Sequence, residues 1–75
     1  MTGAGRVLLA LSRAPEGLTY SELERETGLS SASLTINLQR LMAEGLVARD
    51  GRRYRLTPQG RARVESLVLE VAGGG

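Results

Sequence analysis

Apolar residues recur along this chain at helical spacing in three separate stretches. Val7, Leu8 and Leu11 lie on one face of a helix expected from about Ala4 to Ala14, which Pro15 and Gly17 bring to an end. Leu34, Leu38 and Leu41 follow at i, i+4 and i+7, a narrow stripe on a helix capped by Ser30 and running to about Glu44 before Gly45. Val64, Leu67, Val68 and Val71 form the third stripe, at i, i+3, i+4 and i+7. Its helix opens at Thr57-Pro58, an N-cap followed by the favoured first-position proline.

Between the first two stripes lies a shorter helix, SELERET, signalled by its ends. Thr19 and Glu22 have the Thr-x-x-Glu spacing of a capping box, in which the hydroxyl caps the first turn and the carboxylate returns to the cap's N–H. Gly28 stops it where a left-handed residue is needed to turn sharply into the next helix. Between the last two stripes the period changes. Two short β-prone stretches flank Asp50-Gly51, a dipeptide that favours a type I′ hairpin. That turn pairs Val47 with Tyr54 and Arg49 with Arg52. It places Val47, Tyr54 and Leu56 on an inward face and Arg53 and Arg55 on the other. Helix, helix, tight turn, helix, hairpin, helix is the order of a winged helix-turn-helix, mostly α with a small β-hairpin. No repeat or linker divides the chain, so residues 1–75 read as one domain, with an ordered core of about 5–72 and disordered glycine-rich ends.

A core drawn from 75 residues is marginal. Self-association through the outer part of the last stripe (Val64, Leu67, Val68, Val71) is the expected way to bury more, giving a homodimer. Cysteine and histidine are both absent. That removes disulfides, leaves zinc or iron without its usual ligands, and excludes Cys-His and Ser-His nucleophile pairs, so no metal and no cofactor is expected. Glu22, Glu24, Glu26, Glu44, Glu65 and Glu70 are spaced along helix surfaces with no pocket-forming partner, and no enzyme is expected. No apolar run approaches membrane-spanning length and the N-terminus lacks a signal-peptide core, so a cytoplasmic location without membrane contact is expected.

All ten basic residues are arginine, and their placement says more than the net charge of +2. Residues 1–48 carry four Arg against five Glu, whereas residues 49–63 carry six Arg against Asp50 alone, a local net of +5. Arginines on a hairpin often only block strand pairing at an exposed edge. Arg49, Arg52, Arg53 and Arg55, followed by Arg61 and Arg63, are denser than that purpose needs and suit a polyanion. The helix before the hairpin has the complementary design. Its buried leucines fix it to the body, while its opposite fan centres on Ala32, Ser33, Ile36, Gln39 and Arg40, flanked by Ser31, Thr35 and Asn37. Small residues at its start permit close approach to a major groove, and Gln39 and Arg40 reach bases or phosphates. The expected double-stranded DNA contacts are therefore Ser31, Ser33, Thr35, Ile36, Asn37, Gln39 and Arg40 on the helix and Arg49, Arg52, Arg53 and Arg55 on the hairpin.

The run from Leu18 through Ser21-Glu22-Leu23, Thr27-Gly28-Leu29-Ser30, Leu38-Gln39-Arg40-Leu41 and Gly45-Leu46-Val47 to Tyr54-Arg55-Leu56-Thr57-Pro58-Gln59-Gly60 resembles winged-helix transcription regulators. It is similar to the DNA-binding part of the MarR, PadR, ArsR and IclR-type families, and its ending to MarR and PadR regulators. The resemblance implies a homodimeric repressor or activator on a pseudo-palindromic operator. At Ile36 such families often carry an arginine or histidine, and full-length MarR or IclR proteins add effector or dimerisation parts, so no small-molecule pocket is expected here. The alternative is a winged helix used for protein–protein interaction without DNA readout, which Ile36 and the acidic second helix favour and the basic hairpin opposes. Two tyrosines with no Phe or Trp do not supply the stacking platforms of an RNA or single-strand binder.

Overall fold

The computed structural model describes residues 2–73, and the side chains of residues 2–70. Its elements run α1 (Gly3–Ser12), β1 (Leu18–Thr19), α2 (Tyr20–Thr27), α3 (Ser31–Ala43), β2 (Val47–Asp50), β3 (Arg53–Leu56) and α4 (Pro58–Gly73). The fold is a mostly helical winged helix with one small antiparallel sheet. No helix among the described residues is long and apolar enough to cross a membrane.

The helix ends follow from local chemistry. Thr2 caps α1 by accepting the Gly5 N–H at 3.0 Å, so Gly3 and Gly5 lie inside a helix, with Gly5 buried, where the sequence had suggested a loose end. At its other end α1 stops at Ser12 rather than Ala14. Arg13 and Ala14 donate to Ala10 and Leu11, tightening the last turn, and Ala14 precedes a proline, which disfavours continued helix. The Thr19–Glu22 capping box forms as expected, and Gly28 closes α2 in the left-handed region at φ 71°. Ser30 caps α3 by accepting the Ser33 N–H at 3.2 Å.

Every helix and strand contributes to one core. Val7, Leu8 and Leu11 of α1 meet Leu23 of α2, Leu34, Leu38 and Leu41 of α3, Leu18, Leu46, Val47 and Leu56 around the sheet, and Val64 of α4. Val7, Leu23 and Leu34 are completely shielded. These faces share a centre because each amphipathic helix removes its single apolar stripe from water only by packing against the others.

The sheet differs from expectation in two ways. The hairpin register is Val47↔Leu56, Ala48↔Arg55, Arg49↔Tyr54 and Asp50↔Arg53, so the loop residues are Gly51 and Arg52. Gly51 has φ 63° while no non-glycine residue among the described residues has positive φ, which excludes a type I′ turn and matches type II′, with glycine first. The observed register sets two buried residues, Val47 and Leu56, opposite each other and leaves Asp50 extended, where its carboxylate accepts from Arg55. The shift from the expected pairing is two residues, so facing is preserved: Val47, Tyr54 and Leu56 still share a face. The second difference is β1. Leu18 and Thr19 pair with Tyr54 and Arg53, making β3 the central strand of the order β1-β3-β2 and joining the hairpin to the start of α2.

Candidate nucleic-acid interface

The first turn of α3 is held from α2. The Tyr20 hydroxyl donates to the Ser31 carbonyl at 2.7 Å and lies 2.7 Å from Thr35 Oγ1. Having spent its one hydrogen on the carbonyl, it accepts from Thr35. Ser31 Oγ donates to Glu24 Oε2 at 2.7 Å. On the opposite flank, half-buried Asn37 donates its amide back to the Ser33 carbonyl at 2.9 Å, and its Nδ2 sits against Gly3. Four of the α3 residues expected at DNA make bonds within the protein: Ser31 and Thr35, which remain exposed, and half-buried Ser33 and Asn37. The part of the outward face without internal bonds is narrower than the sequence suggests. Exposed Ala32, Ile36, Gln39 and Arg40 occupy it, and the last two have no side-chain hydrogen-bond or ion-pair partner among the described residues.

The hairpin arginines divide in the same manner. Arg53 Nη1 donates to the Gly17 carbonyl at 3.1 Å and lies 3.9 Å from Glu22 Oε1, tying β3 to the capping box. Arg55 pairs with Asp50 across the hairpin. Arg49 donates to the Gly51 carbonyl at 2.9 Å and stands over the Tyr54 ring, 5.8 Å from its centroid. Arg52, at the tip of the turn, has no such partner among the described residues. Arg49 shares the face of Tyr54, Val47 and Leu56, and Arg53 and Arg55 lie on the other, so the four surround the hairpin instead of lining one side.

Beyond the capping box that the Thr19–Glu22 spacing announces, the carboxylates of α2 make two contacts that their sequence gave no sign of. Glu22 accepts the Thr19 N–H at 2.8 Å, and this backbone bond is the largest cause of its lowered pKa. Burial opposes it as the second-largest effect, and the Thr19 hydroxyl and then the Arg53 and Arg25 charges add to the lowering. Glu22 therefore steadies the wing, and Glu24 steadies the first turn of α3. Neither contact has a local signature, since the partners lie far apart in sequence or across the turn.

The expected dimer residues are also sorted. Val64, 9% exposed, belongs to the core, because the first turns of α4 lie over the body of the domain. Leu67 is half-buried and Val68 is 52% exposed, while the Val71 side chain lies outside the described residues. Leu69, which the stripe omits, is 70% exposed. Beyond Val64, α4 overhangs an open, largely apolar groove of about 810 Å³, walled by Leu8 and Leu9 of α1, Leu41 of α3, and Leu67 and Val68, with Glu44, Arg63 and Glu70 on its rim. No such cavity is legible in the sequence.

Comparison with known proteins agrees with this architecture. The MarR family model matches residues 2–53. A solved structure of Bordetella bronchiseptica BpsR, reported for the mechanism by which 6-hydroxynicotinic acid regulates its DNA binding, superimposes with a TM-score of 0.76 at 29% identity. The match covers 97% of this chain and 57% of that one, so the chain spans little more than half the length of that protein. No curated protein matches the chain.

Proposed function

The chain belongs to the MarR family, and on that premise we propose that it is a DNA-binding transcription regulator. In this reading α3 enters the major groove, with Ile36, Gln39 and Arg40 facing the bases, and the β2–β3 hairpin lies along the flanking backbone or minor groove. The observation that carries it is one of placement. The outward face of α3 is exposed and, at Gln39 and Arg40, free of internal bonds, and it precedes directly a hairpin in which Arg52 projects from the tip. Arg49 and Arg55 have exposed partners that a phosphate can displace, and Arg53, though bonded to the part-buried Gly17 carbonyl, has an ion pair with Glu22 that is weak in water. Ser31, Ser33, Thr35 and Asn37 support the helix's geometry rather than reading bases.

The regulator is proposed to work as a homodimer, with a second copy covering the groove beneath α4. Half-buried Leu67 and exposed Val68 supply apolar surface beside Leu8 and Leu9. Arg63 and Glu70 both border the groove and are about two helical turns apart. An antiparallel second α4 centred near Leu67 therefore sets each Arg63 against the other copy's Glu70, an isologous arrangement. Two recognition helices then address two half-sites.

The test is binding to random-sequence duplex by fluorescence anisotropy across a salt series, with protein mass measured in the same solutions. The expected result is a linear fall of log affinity with log salt, with the mass of a dimer. No binding at low salt would transfer the function to protein–protein interaction, a reading supported by the 57% exposure of Ile36 and the internal pairing of Arg53 and Arg55.

A further inference from the structure

Ile36 is 57% exposed at the centre of the outward face of α3, and it takes no part in the core. Its neighbours one turn away on either side are exposed Ala32, Gln39 and Arg40 and half-buried Ser33. Alanine and serine are short, so the isoleucine stands proud between a low N-terminal half and two long polar side chains. Gln39 and Arg40 can bond to base edges or phosphates on the C-terminal side. Ile36 can neither donate nor accept a hydrogen bond.

That limits what it can face in a major groove. The base edges there present ring nitrogens, carbonyl oxygens and amino groups, together with one apolar group, the 5-methyl of thymine. An isoleucine pressed on a cytosine amino group or a purine edge strips water from a polar atom and offers nothing in return. Against a methyl group it buries apolar surface on both sides at no polar cost. We propose that Ile36 is a specificity-determining residue that reads the 5-methyl group of a thymine, or of a 5-methylcytosine at the same position, in the major groove. This rests on the reading that α3 enters that groove. Its side chain is exposed and outside the core, so replacing it tests recognition without dismantling the fold.

The experiment selects a preferred duplex from a random pool using the full chain, then replaces each thymine of that site singly by deoxyuridine. This removes the methyl and leaves the hydrogen-bonding edge intact. At one position per half-site, affinity is expected to fall by about fourfold, the effect of failing to bury one methyl-sized group. The Ile36→Ala protein is expected to bind the thymine and uracil duplexes equally, with an unchanged salt slope because the arginines are untouched. In the parent protein, 5-methylcytosine at that position should bind more tightly than cytosine, and in Ile36→Ala it should not. A flat uracil scan on a duplex that is bound selectively overturns the methyl reading and leaves DNA recognition standing. Discrimination that persists in Ile36→Ala also overturns it, by assigning the methyl to another residue. Failure of the parent protein to bind any duplex removes the underlying reading, and this outcome is distinct because no selection would succeed.

Discussion

Gly60 sits buried in the first turn of α4, and its replacement by alanine tests how that helix is seated on the sheet. A Cβ at this position would lie well under 3.0 Å from the Leu46 carbonyl oxygen and 3.1 Å from both the Leu46 carbonyl carbon and Leu56 Cδ2. Two of these atoms are backbone, so no rotamer change relieves the clash. The Leu46 carbonyl accepts the Thr57 N–H at 3.1 Å, and Thr57 Oγ1 donates to the Gly45 carbonyl at 2.6 Å while accepting from the Gly60 N–H at 3.0 Å. Moving α4 away to admit the methyl strains all three bonds. Losing one of them with its carbonyl part-buried costs about 1–3 kcal/mol. The displacement of packed groups adds about 1–3 kcal/mol, and the better helix propensity of alanine offsets roughly 1 kcal/mol. The net expectation is a loss of about 1–5 kcal/mol, centred on about 3, a large fraction of what so small a domain has. Urea unfolding followed by far-ultraviolet circular dichroism measures it. Gly28→Ala is the control: its φ of 71° is strained for alanine, at about 1–2 kcal/mol, but a Cβ there meets nothing within 4 Å. A Gly60→Ala protein as stable as the parent, or more stable than Gly28→Ala, would refute the close-approach reasoning.

Four further outcomes are expected. Arg52→Ala should leave the urea midpoint unchanged and lower the salt slope of duplex binding by about one per subunit; Arg53→Ala should also cost about 1 kcal/mol of stability, from its bond to the Gly17 carbonyl. An unchanged slope in both variants, measured by anisotropy, would remove the wing from the interface. Tyr20→Phe should cost about 1 kcal/mol through the lost bonds to Ser31 and Thr35, and should weaken binding to a selected site more than to random duplex; equal weakening would show that the hydroxyl does not orient α3. Glu22 has its pKa lowered from the ordinary 4.5, so its folded form binds a proton less readily than the unfolded chain. Its contribution is therefore complete above that ordinary value and disappears as pH falls through the lowered one, and thermal unfolding across that acidic range should show a smaller decline for Glu22→Gln than for the parent. Val68→Asp, which places a charge on the exposed edge of the groove, should shift the protein to monomer in sedimentation equilibrium, and an unchanged dimer would exclude this seam.

The sequence by itself determined the parts of this protein whose physics is local. Three apolar stripes, the Thr19–Glu22 capping box, Ser30 and Thr57-Pro58 at helix starts, and Gly28 and Gly45 at helix ends each act within a turn or two of chain, so they were legible as residue spacing. Strand facing in the hairpin was legible too, because alternation survives a register shift of two residues. The register itself was not, since the burial of Val47 against Leu56 outweighed the intrinsic preference of Asp50-Gly51 for the turn. Only the tertiary structure decided which polar residues are free to meet a partner. Tyr20 and Ser31, and Asn37 and Gly3, are brought together by the packing of α1, α2 and α3 around a shared core, and Arg53 and Glu22 by the pairing of β1 with β3; no pattern in the chain announces such meetings. The composition put eleven residues forward for DNA. The fold gives Ser31, Ser33, Thr35 and Asn37 bonds within the protein and pairs Arg49, Arg53 and Arg55 internally, leaving Ile36, Gln39, Arg40 and Arg52 exposed and without such a bond among the described residues. Hydrogen bonds within a few ångströms made that selection, and those distances exist only once the chain is folded.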